Sequence, residues 1–264
     1  MLLFYLFFFG RFVGARICCE ARVGGKALRG EGKDWWVVIG LEVVEGVHQV
    51  DGVNANVYVL KNGEELVVVD AGMPRSTGKI LSYIRKLGMQ PSSISTILLT
   101  HCHIDHVGSA YELRKATNAK VAIHANDADF LAGKRALPRP KGVAGSLFQV
   151  ASPFFRFTKF QPDITLKEKD IVAGLKVIHT PGHTPGSISL IEPKRELIFV
   201  GDTLRYSEGK ISGPPERFTL DADQMKLSIK KISELEFDTM LGGHGESLKL
   251  KASERVKEFY ASLK

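Results

Sequence analysis

ISTILLTHCHIDHVGS, residues 94–109, is the most informative stretch of the chain. It begins as a continuous apolar run of strand length. It then places four residues of metal-binding type within six positions: His101, His103, Asp105 and His106. Positions i and i+2 of an extended segment face the same side, so His101 and His103 can both turn their imidazoles towards one ion. Asp105 and His106 follow in a turn and the start of a helix, where they can reach a second ion.

Further ligands are expected downstream, because a catalytic site typically has three protein ligands per ion and leaves one position for water. Three candidates follow other apolar runs: His183 in TPGHTPGS, Asp202 in FVGDT and His244 in GGHGES. Imidazoles and carboxylates together suit zinc, iron or manganese. We therefore predict two divalent metal ions, with Zn²⁺ favoured over Fe or Mn. Glycines flank these candidates, where a Cβ would obstruct close approach of the backbone: Gly182, Gly186, Gly201, Gly242, Gly243 and Gly245.

The chain from Trp35 onwards alternates short strands with helices. Asn62-Gly63 between two apolar runs predicts a hairpin, and Gly88 is placed to end a helix over residues 76–87. Further strands are predicted in AKVAIHA, LKVIHTPGH, ELIFVGDT and DTMLGGHG, and further helices over residues 111–117, 221–235 and 253–263. The βαβ rhythm implies helices packed on sheets. We predict an α+β fold, and the order strands, helix, strands, helix in both halves indicates an αβ/βα sandwich.

The motif H-x-H-x-D-H, followed by a distal His, an Asp and a last His, resembles that of the metallo-β-lactamase superfamily over about residues 36–264. The resemblance implies that family's four-layer αβ/βα sandwich. It also implies ligand sets: His101, His103 and His183 for a first ion, Asp105, His106 and His244 for a second, and Asp202 bridging both. Asp70 in VVVDAG matches an earlier family motif, and we expect it to fix a ligand or the motif loop.

Two nearby divalent ions lower the pKa of a shared water, so such a site needs no Ser or Cys nucleophile. We hypothesise that a bridging hydroxide, oriented by Asp105 and Asp202, attacks a small ester, thioester, lactone or amide. THCHIDHVG, HTPGHTPGS and GDT most resemble the glyoxalase II-like branch. Those enzymes carry a helical extension for glutathione thioesters, whereas twenty residues follow His244 here, which argues against a glutathione substrate.

Two alternatives come from the same resemblance. Relatives with similar ligands oxidise persulfides with one iron, or reduce oxygen or nitric oxide with two, so an iron-dependent oxidoreductase is the second interpretation. A nuclease like the tRNA-trimming relatives is the third. It needs a basic surface, and the chain offers a loose cluster that we interpret as a solvated face: Lys134, Arg135, Arg139 and Lys141. We expect a small-molecule substrate and no nucleic-acid partner.

Several other residues have open or structural interpretations. His48, His124 and His179 stand alone in the sequence, and we interpret them as packed or solvated. Cys102 alternates with its neighbours and should point away from the ions, and Asp105 also suits a helix N-cap.

Arg205 and Tyr206 follow Asp202 closely in the sequence. Either one would stabilise an oxyanion at the site, but an ordinary surface turn explains both equally well. The aromatic stretch Phe148–Phe160 is either a lid over the cleft or plain packing, which we favour.

Composition indicates a globular protein: 264 residues, 44% hydrophobic and 25% charged, with a net charge of +7. We predict one hydrolase domain over residues 35–264 and a poorly ordered N-terminal extension over residues 1–34. The opening MLLFYLFFFG is too short to span a membrane. A weak anchor, an uncleaved leader or a start codon placed too early each explain the extension, and we favour the last. Three cysteines, two of them adjacent, form no disulfide framework and fit the reducing cytoplasm.

Overall fold

The computed structural model of the chain describes residues 41–136 and 157–263. Its first half is a seven-stranded sheet whose strands lie in sequence order: β1 (Leu41–Val44), β2 (Val47–Gln49), β3 (Tyr58–Asn62), β4 (Glu65–Val69), β5 (Ile94–Leu99), β6 (Lys120–His124) and β7 (Ile164–Leu166). Strands β1 to β4 pair antiparallel, and β4 to β7 pair parallel. The predicted hairpin is β3–β4, with its turn at Gly63 and Glu64, one position later than the Asn-Gly pair indicated.

Among its described residues this half has four α-helices: α1 (Thr77–Lys86), α2 (Ile104–Val107), α3 (Ala110–Thr117) and α4 (Ala125–Leu131). Apolar residues at helical spacing, such as Ile80 and Ile84 of α1, pack against residues of the sheet such as Val68 and Ile97. Gly88 follows α1 with a φ of 73°, a conformation that glycine adopts without strain, and the helix ends as predicted.

The second half is a five-stranded sheet made of β8 (Ile171–Val172), β9 (Leu175–His179), β10 (Ile188–Glu192), β11 (Leu197–Gly201) and β14 (Thr239–Gly242), in the order β14-β11-β10-β9-β8. Two further strands, β12 (Arg205–Ser207) and β13 (Lys210–Ser212), form a separate ribbon. Helices α5 (Ala222–Ser233) and α6 (Ala252–Ser262) pack on the face of this sheet that is turned away from the first one.

Side-chain alternation along the strands builds the layers. Val67 and Val69 of β4 pack between the two sheets, together with Phe199 and Leu241 of the second sheet, whereas Val68 faces the helices. Each fully buried side chain of this kind contributes about 1.5–3 kcal/mol, so Phe199→Ala would cost about 3–5 kcal/mol. The order is helices, sheet, sheet, helices, which confirms the predicted four-layer αβ/βα sandwich.

The two sheets meet at one edge, where β5, β9, β11 and β14 end. The backbone N–H of Ile188 in the second sheet donates to the carbonyl of Thr100, which follows β5 (2.9 Å). The N–H of Asn56, which precedes β3, donates to the carbonyl of Gly243, which follows β14 (2.7 Å). The carboxyl ends of these strands therefore surround one place. None of the helices in the described ranges has the length and apolar character that crossing a bilayer requires.

Candidate metal centre

The structure brings all seven predicted ligands to this edge. His101 comes just after β5, and His103 stands in extended backbone at the N-terminus of α2, which contains Asp105 and His106. His183 lies in the loop between β9 and β10, Asp202 directly follows β11, and His244 is the second residue after β14. Asp105 lies inside α2, so it is not the N-cap that Asp would favour.

Two clusters can be distinguished. In the first, the rings of His101, His103 and His183 lie with centroids 4.4–4.8 Å apart, and Nδ1 of His103 is 2.8 Å from Nε2 of His183. In the second, Oδ2 of Asp105 lies 3.2 Å from Nε2 of His244 and 3.8 Å from Nε2 of His106. Within each cluster, one donor atom of each residue lies within 4.8 Å of the others.

Asp202 lies between the two clusters. Its Oδ2 is 3.3 Å from Nε2 of His183 and 3.5 Å from Nε2 of His244, and its Oδ1 is 3.4 Å from Nε2 of His106. One carboxylate thus contacts members of both sets. The family resemblance implies a bridging ligand at this position.

Several donor atoms at the centre are buried and without a hydrogen-bond partner: His101 Nε2, His106 Nε2 and Asp202 Oδ1. An unpaired buried polar atom costs about 1–3 kcal/mol. Three of them facing one space are accounted for if cations bind there, and histidine nitrogen with aspartate oxygen is a ligand set for zinc, iron or manganese. The residues present therefore fit divalent metal ions.

The electrostatic state of these groups suits cation binding. Burial lowers the pKa of His101 well below its ordinary value, and the neighbouring imidazoles of His106 and His183 lower it further. Burial, followed by His183, lowers the pKa of His103 to about 3. Both rings are neutral near pH 7, which is the form that binds metal.

The carboxylates at the centre are anionic. Burial alone would raise the pKa of Asp105 and Asp202, but the imidazoles, above all His106, lower both pKa values below the usual range. Burial also opposes protonation of His106, yet the carboxylates of Asp70, Asp202 and Asp105 raise its pKa to about 10. The pocket thus favours positive charge where the second cluster lies.

Asp70 occupies the position predicted from VVVDAG. Its Oδ2 accepts from Nδ1 of His106 (2.8 Å) and from the hydroxyl of Thr100 (2.8 Å), and its Oδ1 accepts from the backbone N–H of Thr100 (2.8 Å). The Thr100 oxygen lies 3.1 Å from Nδ1 of His101. With Nδ1 of both rings protonated to satisfy this network, Nε2 of the neutral His101 carries a lone pair towards the centre. Nε2 of His106, whose raised pKa keeps the ring protonated, would offer a lone pair to a cation once the cation displaces its proton.

Asn56 is a positioning residue that the sequence analysis missed. Its side-chain amide donates to the carbonyls of Gly242 (2.9 Å) and Gly245 (3.1 Å), and the Tyr58 hydroxyl also donates to Gly242 (2.8 Å). The loop that carries His244 is thereby fixed from the opposite sheet. A polar residue at the start of the apolar run NANVYVL was the available signal.

Asp127 is a second residue that was missed. It is fully buried in α4 and accepts from the backbone N–H of Cys102 (2.9 Å), the hydroxyl of Thr184 (2.7 Å) and the backbone N–H of Gly186 (2.7 Å). The other buried residues of α4 are Phe130 and Leu131. A carboxylate at i, with apolar residues at i+3 and i+4 on the buried face, was the signal in the sequence.

Gly243 shows why the glycines beside the ligands matter. A Cβ at this position would lie 2.4 Å from Oδ1 of Asp202 and 2.7 Å from Cε1 of His106. Such distances are too short for any side chain, so the backbone itself forms part of the wall of the centre.

The isolated histidines lie outside the centre. His48 contacts Tyr83 edge to face, while His124 and His179 stack on each other with centroids 4.0 Å apart. Cys102 packs among apolar residues on the helix side of the first sheet, away from the ligands, as predicted.

Arg205 and Tyr206, the two residues considered for stabilising an oxyanion, differ in their surroundings. Tyr206 packs under the guanidinium of Arg255, 4.9 Å from its ring, which favours the surface interpretation. Arg205 is exposed and lines a cavity of about 20 Å³ together with Asp202 and His244.

The aromatic stretch is described only in part. Phe157 and Phe160 pack against the core beneath the helices, which agrees with packing rather than a lid for these two residues. Residues 148–156, Arg139 and Lys141, and the extension predicted over residues 1–34 lie outside the described residues.

Comparison with known proteins agrees with this geometry. A sequence model of the metallo-beta-lactamase superfamily matches residues 50–244. The probable metallo-hydrolase YflN of Bacillus subtilis is 33% identical over 230 residues, which are 78% of this chain and 86% of the relative. The acyl-coenzyme A thioesterase MBLAC2 of Bos taurus is 29% identical over 170 residues, 58% of this chain and 59% of that protein. The crystal structure of TTHA1623 in a di-iron-bound form superposes with a TM-score of 0.61 at 25% identity, covering 80% of this chain and 98% of that chain.

Proposed function

The chain belongs to the metallo-β-lactamase superfamily, and we propose that it is a binuclear metallo-hydrolase that cleaves a small ester, thioester, lactone or amide, with zinc as the favoured metal. The observation that carries this proposal is the position of Asp202. Its carboxylate lies within 3.3–3.5 Å of nitrogen atoms from both clusters, as a ligand shared by two ions must.

The candidate ligands would form two sets, one for each ion. His101, His103 and His183 would hold one ion, Asp105, His106 and His244 the other, and Asp202 both. When bound, a pair of divalent ions lowers the pKa of water between them towards neutrality and polarises the bond under attack.

The anionic oxygens of Asp105 and Asp202 are placed to accept hydrogen bonds from the attacking water and to orient it. The site needs no serine or cysteine nucleophile, and Cys102 faces away from it.

Substrate would enter beside the second cluster. The side chains of Asp105 and His244 are 30% and 28% exposed, whereas those of His106 and His183 are at most 3% exposed. The adjoining cavity is lined by Leu204, Pro214 and Pro215, with the Arg205 side chain at its edge. At about 20 Å³ this cavity holds about one water molecule, so a substrate with an apolar acyl part would lie against these side chains at the surface.

The relatives support hydrolysis and leave the metal open. One relative is named a probable metallo-hydrolase and another an acyl-coenzyme A thioesterase, which makes a thioester the first substrate class to test. The similar chain with two bound irons supports iron as the alternative metal. With iron, an oxidoreductase of the persulfide dioxygenase type is the second candidate function.

The test is a substrate panel on protein reconstituted with defined metals. Metal-free protein would be loaded anaerobically with Zn²⁺, Mn²⁺ or Fe²⁺ and assayed on p-nitrophenyl esters, acyl thioesters, lactones, β-lactams and phosphodiesters. We expect two equivalents of bound metal and turnover of an ester, thioester, lactone or amide. Oxygen consumption with a persulfide in the iron form, and no hydrolysis of any substrate in any form, would support the oxidoreductase instead.

A further inference from the structure

Asp127 is a buried carboxylate that the proposed reaction does not use. Its side chain is inaccessible to solvent, and no lysine or arginine among the described residues lies within ion-pairing distance of it. Burying an anion without a cation partner is costly unless hydrogen bonds satisfy its oxygens. Its partners therefore indicate what it does for the fold.

Three hydrogen bonds to Asp127 come from loops that carry predicted ligands. The Cys102 N–H lies between His101 and His103 in the chain, and it donates to Oδ2 (2.9 Å). Thr184 follows His183 directly, and its hydroxyl donates to the same oxygen (2.7 Å).

The third donor fixes the far side of the second loop. The Gly186 N–H donates to Oδ1 (2.7 Å), and a Cβ on Gly186 would lie 2.6 Å from the Asp127 carboxylate. The loop therefore packs directly against the carboxylate, which joins the two segments that supply the first cluster.

The second cluster is fixed by different residues. Asp70 contacts His106, and Asn56 binds the carbonyls on either side of the His244 loop. Within the described residues, Asp127 has no hydrogen bond to either of those segments. Asp127 therefore supports the first cluster alone, whereas Asp70 reaches both clusters, His106 directly and His101 through Thr100.

We propose that Asp127 is a positioning residue that sets the affinity for the first ion, held by His101, His103 and His183, independently of the second. This inference rests on the proposed two-ion site. Asparagine at position 127 has one acceptor oxygen and one NH₂ group, so at least one of the three donors would face another donor. At least one of the two loops would lose a hydrogen bond while the volume of the side chain is kept.

The experiment measures zinc affinity by competition with a chromophoric chelator in two single-ion backgrounds. His244→Ala keeps the first set of ligands, and His103→Ala keeps the second. We expect Asp127→Asn to weaken zinc binding about 10–100-fold in the His244→Ala background. In the His103→Ala background the affinity should change less than about twofold.

Asp163→Asn is the matched control. Asp163 is also a carboxylate that accepts from a backbone N–H, that of Val121 (2.9 Å), and it pairs with Arg114. It contacts none of the candidate ligands. Its replacement should lower the urea midpoint of the metal-free protein and leave zinc affinity unchanged in both backgrounds.

If Asp127→Asn does not fold, Thr184 offers a milder test. Thr184→Val removes one donor to Asp127 and should weaken binding of the first ion. Thr184→Ser keeps the hydroxyl and should bind this ion as tightly as the unmodified protein. Equal weakening in both backgrounds, or none in either, would overturn the role of Asp127. Binding of fewer than two zinc ions by the unmodified protein would instead contradict the proposed two-ion centre.

Discussion

Oδ2 of Asp70 lies 2.8 Å from Nδ1 of His106, so a carboxylate behind the ring fixes which nitrogen faces the centre. The same carboxylate accepts from Thr100, whose hydroxyl oxygen lies 3.1 Å from Nδ1 of His101. One residue thereby orients a ligand in each cluster. This is the arrangement by which outer hydrogen bonds tune a metal site.

Replacing Asp70 with Asn should weaken metal binding at both positions. An amide cannot accept from His106 and from both groups of Thr100 at once, so a histidine can rotate or change tautomer. We expect zinc affinity to fall about 10–100-fold, with a parallel loss of hydrolysis at limiting zinc. Chelator competition measures the first effect, and Asp163→Asn again serves as the control. Affinity within about twofold of the unmodified protein would show that Asp70 has no such role.

Gly243→Ala should damage the centre through shape alone. The added Cβ would meet Oδ1 of Asp202 at 2.4 Å and Cε1 of His106 at 2.7 Å, so the backbone or both ligands must shift. We expect a loss of about 1–3 kcal/mol in stability and weaker binding of zinc. Gly78→Ala is the control, because Gly78 in α1 has open space around it and should tolerate the methyl group. Bound zinc and unfolding midpoints of the two variants give the comparison, and equal zinc binding would contradict the expectation.

The sequence indicated which candidate ligands come together because each lies within a few residues of a strand end, where local pattern is informative. It missed Asn56 and Asp127 because their roles arise from contacts with distant parts of the chain. Asn56 binds Gly242, which is 186 positions away, and Asp127 binds Gly186, which is 59 positions away. No local pattern specifies such contacts. β10, with the apolar sequence ISLIE, was also missed, although it is a buried central strand. The two-residue β8 is formed by pairing with β9 and has no pattern of its own.

His124 should make stability depend on pH. Burial, followed by the stacked His179, lowers its pKa to about 4, against the opposing effect of Glu168 and Asp170. The unfolded chain has a histidine pKa of about 6.5, so it binds the proton more tightly than the folded protein. The stability associated with neutral His124 is therefore complete above about pH 6.5 and is lost as the pH falls towards 4.

The variant His124→Asn tests this titration, because asparagine still caps α4 by accepting from the Asn126 N–H, as Nδ1 of His124 does (3.3 Å). Urea unfolding of metal-free protein at pH 7.5 and 4.5 would be compared. The unmodified protein should lose about 2 kcal/mol more than the variant over this range, from about 1.4 kcal/mol per pKa unit. The same pH dependence in both proteins would assign the effect to other groups.

Removing the metal and removing the Asp202 carboxylate, which both clusters share, should each abolish the stabilisation by metal and the hydrolysis. Ions that bind only the folded protein stabilise it, by about 2.7 kcal/mol for each at a concentration 100 times its Kd. Added zinc should therefore raise the Tm of the chelator-treated protein in a concentration-dependent way.

Asp202→Ala should largely abolish this rise, the bound metal and the hydrolysis together, because Asp202 contacts His106, His183 and His244. The surface variant Asp129→Asn should respond to zinc like the unmodified protein. Full hydrolysis by Asp202→Ala would rule out the shared-ligand mechanism, because no other carboxylate in the described part of the chain lies between the two clusters.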